Sequence, residues 1–223
     1  LHTDIPPFQV DNYVPEELMD WVREDLREAT EVSGRFIHVQ PEQLLGRVAV
    51  GVVKRFVDGK WKYRKVHDFS RPFGSAVNDC CEKSSKKFAT VRKAAGLLRS
   101  GYFMAKADLH KAFRYTGMAL DALKYMGCMF DGQCLMDTRL AMGLSIAPGV
   151  FHEITSVIER YLQARDITAV VYLDDFLISG KSEEDCAEGF NVLIDLVRWL
   201  GFDLSTDKVE LPVQNITFLG IDF

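Results

Sequence analysis

The stretch AVVYLDDFLIS, residues 169–179, places two adjacent carboxylates, Asp174 and Asp175, between two short apolar runs. This pattern is typical of a tight hairpin that lifts both acids out of a buried sheet. Neighbouring like charges repel and are costly to desolvate, so a bound cation is one reason for a fold to place them there. Adjacent aspartates are also common in solvated turns, and the pair alone is compatible with either interpretation.

A second segment, YFMAKADLHKAF at residues 102–113, reads as an apolar strand that delivers Asp108 at its C-terminal end. Phe113 follows five residues later. A third carboxylate beside the first two would complete an oxygen ligand set for two magnesium ions, which are hard cations that prefer such ligands. With a nucleoside triphosphate, three acids and two metal ions would form a phosphoryl-transfer site.

The composition bounds the class of protein. With 223 residues and 48% hydrophobic content, the chain can bury a substantial core as one large domain or two closely packed lobes. Neither a signal peptide nor an apolar run approaching ~18 residues is found in the sequence, so we expect an intracellular protein, in cytoplasm or nucleus, without a membrane partner. The five cysteines lack CxxC spacing, which favours free thiols over a disulfide framework or zinc site.

The formal net charge of -5 is unevenly distributed. Counted along the sequence, residues 1–40 carry -6, residues 41–114 carry +11 and residues 115–223 carry -10. This asymmetry is expected for a phosphate-binding lobe and an acidic, metal-binding lobe. The alternative is that the lysines and arginines only solubilise exposed strands.

Periodicity predicts the first elements. An amphipathic helix is expected over Pro15–Val32, because apolar residues recur there at helical spacing: Leu18, Val22, Leu26 and Ala29. Asp58-Gly59 separates two strand-like runs and predicts a hairpin, whose second strand, residues 60–66, alternates basic and apolar residues. One face of that hairpin should therefore present cations.

Further along, caps and stops predict three helices. The first runs from Val91 to Arg99 after Thr90, the second begins near Ser145 and Pro148 and ends near Ala164, and the third runs from Ser182 to Gly201. A hairpin is expected at Asp131-Gly132. The order β-β-β-α-β-β-α-β-β after residue 100 predicts an α+β fold with a largely antiparallel sheet backed by helices.

Several motifs occur in a fixed order. They are a basic segment at 62–72 with 77–79, the 108–113 segment, LAMGLSIAP at 140–148, YLDD at 172–175, LGFDLSTDK at 200–208 and FLG at 218–220. This set resembles the reverse transcriptase family. The sequences of the individual motifs are most similar to those of DIRS-like and Ty3-like retroelement polymerases. Several motifs in the right order are far less expected by chance than any one of them.

The resemblance implies a right-hand polymerase-like architecture of fingers and palm. It covers roughly residues 45–223, and on it residues 41–100 form the fingers and residues 101–223 a palm that ends near the primer grip, with the thumb absent. Residues 1–40 lack the resemblance and are predicted from charge and periodicity to be an acidic N-terminal helical segment. We expect a thumb and RNase H region, or a partner subunit, to be supplied from outside this segment.

The resemblance also implies a metal site. Asp108, Asp174 and Asp175 would hold two Mg²⁺ ions, with Mn²⁺ as the alternative ion and the carbonyl of Leu109 assisting. One ion would activate the primer 3'-hydroxyl, and the other would bind the triphosphate of the incoming nucleotide. Lys208 would protonate or shield the departing pyrophosphate. The alternative is that Lys208 is an ordinary solvated lysine in a loop.

Further substrate contacts are implied at matching positions. Arg64 would bind the triphosphate through its planar fork, and Lys54 would be a second phosphate contact unless Arg55 or Lys60 takes that position or Lys54 is simply exposed. Phe113 would exclude a 2'-hydroxyl, and without the motif it would read as a core aromatic residue. The remaining candidates divide into two sets: Met142 and Gly143 under the templating base, and Arg71, Asn78 and Tyr172 against template or primer.

These expectations add up to an RNA-directed DNA polymerase that extends a primer with dNTPs on an RNA or DNA template. One alternative is a domesticated, catalytically silent module that binds nucleic acid or protein, which the intact aspartates argue against. A second is an RNA-synthesising polymerase, which Phe113 disfavours.

Overall fold

The computed structural model describes residues 5–57, 59–82 and 88–223 of the chain. Its strands, in chain order, are β1 Phe8–Gln9, β2 Phe36–His38, β3 Gly46–Arg47, β4 Ala49–Val57, β5 Lys60–Asp68, β6 Phe103–Asp108, β7 Gly127–Phe130, β8 Gln133–Asp137, β9 Thr168–Tyr172, β10 Asp175–Gly180, β11 Glu210–Val213, β12 Thr217–Phe218 and β13 Ile221–Asp222. Its α-helices are α1 Met19–Arg27, α2 Val91–Leu97, α3 Ala147–Gln163 and α4 Glu183–Trp199. The predicted α+β class is confirmed.

The chain divides into two compact units. Unit 1 consists of residues 1–84 and 113–147, and unit 2 of residues 85–112 and 148–223. The boundaries predicted at residues 40 and 100 differ from this division. The reason is long-range strand pairing, since β7 and β8 join a sheet with β2 and β3 and so bring residues 113–147 into unit 1.

Unit 1 contains a five-stranded sheet in the order β1-β3-β7-β8-β2. Helical structure runs without a break over residues 16–32, with α1 flanked by a 3-10 turn and a π turn, as the apolar spacing predicts. The apolar stripe of this segment is buried, and most of it joins one core with side chains from four strands: Val22, Leu26, Ala29, Phe36, Val50, Cys128, Phe130 and Leu135.

The long hairpin of β4 and β5 also belongs to unit 1. Its ladder runs from Ala49 opposite Asp68 to Val57 opposite Lys60, which confirms a hairpin where Asp58-Gly59 predicts one. Gly59 has the positive φ of 74° that such a turn requires. Asp58 lies outside the described residues.

Unit 2 contains a four-stranded antiparallel sheet in the order β11-β6-β10-β9. Helix α4 packs on β10, β6 and β11. On the sheet, α2 and the last strands bury a second core: Ala89, Ala94, Met104, Val170, Leu177, Ile216 and Phe218. The predicted antiparallel sheet backed by helices is therefore found in this unit.

Two of the three predicted caps are formed. The hydroxyl of Thr90 accepts the Lys93 N–H at the start of α2, and the hydroxyl of Ser182 accepts the Asp185 N–H at the start of α4. The prediction for Ser145 is wrong, because α3 begins two residues later and the Ser145 N–H donates instead to the side-chain oxygen of Asn78. Across the described ranges, no helix combines the length and apolar character needed to cross a membrane.

Candidate active site

Two carboxylates of unit 2 face each other across neighbouring strands. Asp108 is the last residue of β6 and Asp175 is the first of β10, and they are direct partners in the antiparallel ladder. Opposite residues in such a ladder project from the same face of the sheet, with Cβ atoms roughly 5 Å apart. Asp108 is 6% exposed, so this side chain is held in a nearly dry environment.

The third carboxylate lies in the turn that joins β9 to β10. Tyr172 pairs with Asp175, which leaves Leu173 and Asp174 as a two-residue loop. Leu173 has a φ of 56°, a left-handed conformation that tight hairpin turns need and that branched residues rarely adopt. The Asp174 carbonyl accepts the Leu109 N–H at 3.1 Å, so this turn is fastened to the residue after Asp108.

The Asp108 carboxylate has two further partners, both in the segment after α4. Lys208 Nζ lies 2.7 Å from Oδ2, and the Ser205 hydroxyl donates to Oδ1 at 2.6 Å. The Ser205 N–H also donates to the Asp108 carbonyl at 2.8 Å. Sequence reasoning missed Ser205, although it lies inside the motif at 200–208 and its hydroxyl beside Lys208 was the available signal.

Burial and charge shape the titration of these groups. Burial, the negative charges of Asp174 and Asp108 and a hydrogen bond with Asp108 raise the pKa of Asp175 to about 7. Burial lowers the pKa of Lys208, but the hydrogen bond to Asp108 and the charges of the three aspartates outweigh it, so the net pKa is raised. The site therefore contains more negative charge than Lys208 alone neutralises.

An open cavity of about 370 Å³ adjoins these residues within unit 2. Asp108, Asp175 and Lys208 line it, together with Lys106 and Phe218. Its walls come from β6, β10, the 206–208 turn and the last strands of the chain. The three motifs that contain Asp108, Asp175 and Lys208 thus meet at one concave surface.

A divalent cation suits this donor set by its chemistry. Carboxylate oxygens are the ligands that Mg²⁺ prefers, and a cation would relieve the repulsion from Asp174 and Asp108 that, after burial, raises the pKa of Asp175. The ammonium of Lys208 already forms an ion pair with Asp108. With the side chains as they stand, no group of three acidic, histidine or cysteine residues in ranges 5–57, 59–82 and 88–223 is close enough to hold a metal ion.

The structure places Arg64 and Lys54 on opposite faces of the β4–β5 hairpin. Lys54 pairs with Tyr63, and Arg64 is the next residue along β5. Because successive side chains in a strand alternate between faces, Lys54 and Arg64 point to different sides. Lys54 also forms an ion pair with Glu17 at 2.6 Å. Arg55 projects from the same face as Arg64.

Phe113 is half-buried and lies in a 3-10 turn, Ala112–Tyr115, that follows Asp108 and Leu109. Leu109 itself is 1% exposed. Met142 lies in the loop before α3 and is 44% exposed. The roles of Phe113 and Met142 in nucleotide selection and template contact stay predictions.

The backbone of unit 1 requires a glycine at position 143. Its φ is 107°, and a Cβ atom there would clash with the carbonyl oxygen of His67. Asn78 braces the same loop, since its amide donates to the Gly143 carbonyl at 3.0 Å and accepts the Ser145 N–H at 2.7 Å. Both residues therefore shape this loop, whatever they contact in a complex.

The two remaining candidates lie in different units. Arg71, in unit 1, is exposed beside Asp68 at 3.4 Å and lies over the ring of Phe73. Tyr172, in unit 2, is partly buried, and its ring centroid lies 6.0 Å from that of Phe88. Their predicted contacts with template or primer are not tested by these positions.

Known sequences match much of this chain. The family model described as reverse transcriptase (RNA-dependent DNA polymerase) matches residues 62–223. A genome polyprotein of Petunia vein clearing virus is 29% identical over 126 residues, which cover 56% of this chain and 6% of the polyprotein. The Gag-Pol polyprotein of Gibbon ape leukemia virus is 31% identical over 85 residues, covering 37% of this chain and 5% of the polyprotein.

Solved structures share the fold. A foamy viral protease-reverse transcriptase in complex with double-stranded DNA superposes with a TM-score of 0.80 at 18% identity, covering 98% of this chain and 35% of that one. The foamy viral enzyme in complex with an RNA/DNA hybrid gives a TM-score of 0.76 at 19% identity, covering 99% and 28%. These matches confirm the predicted polymerase-like fold. Since the family model covers most of the chain, from β5 onward, the protein belongs to the reverse transcriptase family.

Proposed function

We propose that this chain forms the nucleotide-adding part of an RNA-directed DNA polymerase that works by two-metal phosphoryl transfer. The observation that carries the proposal is the placement of Asp108 directly opposite Asp175, with Asp174 in the adjoining two-residue turn. Family membership supplies the reaction class. The chain spans only 5–6% of its viral polyprotein relatives, so the activity and substrates of a whole enzyme are part of this proposal.

In unit 2, Asp108, Asp174 and Asp175 would hold two Mg²⁺ ions, or Mn²⁺, with the Leu109 carbonyl as an additional oxygen. When bound, such ions would neutralise the negative charge that develops on the phosphate oxygens and would lower the pKa of the primer 3'-hydroxyl. Ser205 orients the Asp108 carboxylate through its hydroxyl. The Lys208 ammonium forms an ion pair with Asp108, and from there it would shield the charge of departing pyrophosphate or donate a proton to it.

In unit 1, Arg64 would bind the triphosphate of the incoming dNTP. Arg55 is the better second phosphate contact than Lys54, since Arg55 shares the face of Arg64 and Lys54 is paired with Glu17 on the other. Phe113 would reject ribonucleotides by contact with the 2'-hydroxyl. Met142 and Gly143 would support the templating base.

The partners of this activity are an RNA or DNA template with an annealed primer, and dNTPs. A thumb and RNase H region, or a partner subunit, would add phosphate contacts along the duplex, from which much of polymerase affinity comes. All five cysteines are free thiols, which suits the reducing interior of a cell.

Primer extension tests the proposal. Purified protein is given an annealed primer on an RNA template with Mg²⁺ and either dNTPs or ribonucleotides, and product length is read on a denaturing gel. We expect extension with dNTPs, none in EDTA, and a loss of at least about 10³-fold in rate for Asp174→Asn. Asp195→Asn, an exposed carboxylate on α4, is the matched control and should extend like the parent.

Two outcomes contradict the proposal. If Asp174→Asn extends primers as well as the parent chain, these aspartates are not the catalytic centre. If the parent shows no extension, alone or with a thumb-containing segment added back, yet binds template-primer, the catalytically silent binding module is the better description.

A further inference from the structure

The buried ring of Phe36 contacts side chains from separate parts of unit 1. Phe36 is 2% exposed and lies on β2, directly opposite Asp137 of β8. Nζ of Lys65, on β5, lies 4.8 Å from the centre of this ring, and the guanidinium carbon of Arg114 lies 5.6 Å from it. Both distances are within the roughly 6 Å over which an aromatic ring attracts a cation. One ring is therefore shared by two cations that are far apart in the sequence.

Each of the two cations is also paired with a carboxylate. Lys65 lies 2.5 Å from Asp25 of α1, and Arg114 lies 2.7 Å from Asp137. The side chains of Lys65 and Arg114 are only 12% and 18% exposed. Ion pairs that are largely removed from water are weakly screened by salt, and breaking one leaves a poorly solvated charge. Both cations therefore have defined positions on the ring.

A third side chain, from the same strand as Lys65, joins the ring. His67 meets Phe36 edge to face with ring centroids 5.5 Å apart, and its Nδ1 lies 3.8 Å from the carboxylate of Asp137. Because Lys65 and His67 are two residues apart on β5, they project from the same face of that strand. Two contacts with one ring fix the rotation of β5 about its own axis.

The two cations are sequence neighbours of the two residues that we assign to the incoming nucleotide. Lys65 follows Arg64 on β5, and Arg114 follows Phe113 in the 3-10 turn. Side chains alternate along a strand, so holding Lys65 against the buried ring turns Arg64 outward, where it is exposed. Fastening Arg114 in the same way limits the positions that Phe113 can take.

We propose that Phe36 is a positioning residue for the incoming nucleotide. Through Lys65 it holds Arg64 at the triphosphate. Through Arg114 it holds Phe113 against the sugar. This inference rests on the proposed function, in which both residues contact one dNTP. A displacement of about 1 Å caused far from the chemistry can cost about 100-fold in rate, so a remote support of this kind matters.

The sequence does not reveal this role. Phe36 lies before residues 62–223, which the reverse transcriptase model matches, and in the sequence it is one apolar residue among many. Its two cations are ordinary basic residues until β2, β5 and the 3-10 turn come together. The role is therefore visible only in the fold of unit 1.

The alternative is that these contacts only stabilise unit 1. Phe36 belongs to the same core as Val22, and a cation over a buried ring favours folding whatever lies beside it. The two interpretations predict different kinetics. A loss of stability lowers the fraction of folded enzyme, and with it the apparent kcat. A loss of positioning changes the KM for the nucleotide and the choice between sugars.

Steady-state primer extension by one nucleotide separates these interpretations. Both kcat and KM are measured for a dNTP and for the matching ribonucleotide. We expect Phe36→Leu to raise the KM for the dNTP about fivefold and to lower the ratio of dNTP to ribonucleotide efficiency about fivefold. Val22→Ala is the matched control, because it also removes buried apolar volume from this core but takes no ring from a cation. It should leave KM and the ratio unchanged, and circular dichroism checks that both variants are folded.

Double variants identify the residues through which Phe36 acts. In an Arg64→Gln background, Phe36→Leu should no longer raise KM but should still lower the sugar ratio. In a Phe113→Ala background, it should still raise KM but no longer lower the ratio. Lys65→Met keeps the length of the side chain and removes its charge, so it should raise KM and leave the ratio unchanged.

The positioning role is wrong if Phe36→Leu and Val22→Ala affect KM and the sugar ratio alike, or if the effects of Phe36→Leu persist in both double variants. The proposed function would stand in either case, because the parent chain still extends primers. A parent chain that extends no primer would overturn both proposals together. If Phe36→Leu does not fold, Lys65→Met is the deciding variant, and an unchanged KM would contradict the positioning role.

Discussion

The guanidinium of Arg114 donates two parallel hydrogen bonds to the carboxylate of Asp137, at 2.7 and 2.8 Å, and Asp137 is completely buried. The same carboxylate accepts the Arg139 N–H, and Arg114 also reaches the Leu140 carbonyl at 3.3 Å. This pair therefore fastens the 3-10 turn containing Phe113 to the end of β8 and to the start of the 140–148 motif.

Removing one partner of that pair should be strongly destabilising. Asp137→Ala leaves the Arg114 charge without its carboxylate in a nearly dry environment, and we expect a loss of about 3–5 kcal/mol in the free energy of unfolding. Urea denaturation followed by circular dichroism measures it. Asp121→Ala, at an exposed position of the same unit, should stay within about 0.5 kcal/mol of the parent. Equal stabilities for the two variants would contradict the structural role of the pair.

Phe113→Ala should relax sugar discrimination. If the ring rejects the 2'-hydroxyl by steric contact, the ratio of dNTP to ribonucleotide incorporation efficiency should fall on the order of tenfold or more. Single-nucleotide primer extension with matched dNTP and ribonucleotide series gives the ratio. Phe113→Tyr keeps the ring and should retain the discrimination, and a ratio unchanged in Phe113→Ala would remove this residue from the selection of sugars.

The acidic site predicts an unusual stability profile. The pKa of Asp175 is about 7 in the fold against 3.8 as its ordinary value, so the folded state binds this proton more tightly than the unfolded chain. Stability from this group is therefore present at low pH and is lost as the pH rises toward and through 7. In EDTA, we expect the thermal midpoint of the parent, relative to that of Asp175→Asn, to fall between about pH 4 and pH 7 and to change little above pH 7.

Magnesium should reverse that loss. At pH 8, added Mg²⁺ should raise the thermal midpoint of the parent chain, because a cation bound to the folded state alone stabilises it. Asp175→Asn should show a smaller rise, and Asp195→Asn should behave like the parent. An equal response to Mg²⁺ in all three chains would show that the ion acts elsewhere.

His67 contributes in the opposite direction. Burial first, and then the positive charges of Lys65 and Arg114, place the pKa of His67 well below its ordinary 6.5. Its stabilising contribution is complete above about pH 6.5 and is lost as the pH falls below that value, because the unfolded chain takes up the proton first. We expect His67→Gln to flatten the acid side of a thermal-midpoint profile, measured in the Asp175→Asn background. His38→Gln, at an exposed position, should not.

Gly143→Ala should cost stability for steric reasons. The added Cβ would clash with the His67 carbonyl oxygen and would force a side chain into a left-handed backbone conformation. We expect a loss of about 1–3 kcal/mol in the free energy of unfolding. Gly96→Ala in α2 has open space around the new Cβ and should be neutral or slightly stabilising, which makes it the matched control.

Local patterns predicted the elements that local physics determines. The stripe from Leu18 to Ala29 identified the first helix, the Asp-Gly pairs identified two hairpins, and Thr90 and Ser182 identified helix starts. Adjacent aspartates between apolar runs identified the turn of the candidate site. In each case the residues that decide the structure lie within one turn or one hairpin of each other.

What the sequence did not predict depends on distant pairing. Nothing local says that Lys54 meets Glu17 rather than a phosphate, because the two are 37 residues apart and meet only once α1 lies against the hairpin. Nothing in the local sequence of Arg114 or Asp137 predicts that they pair, because the two residues are brought together only when β7 and β8 form. The same long-range pairing explains why the unit boundaries differed from those predicted.

The two-residue turn between β9 and β10 makes loop length as informative as residue identity for recognising related chains. Side chains in a strand alternate between faces, so an inserted residue that shifted the register of β10 against β9 by one would carry Asp175 to the far side of the sheet while every amino acid of the motif survived. A homologue with all its aspartates but a shifted register there would have them on opposite faces and could not bring them to one metal site.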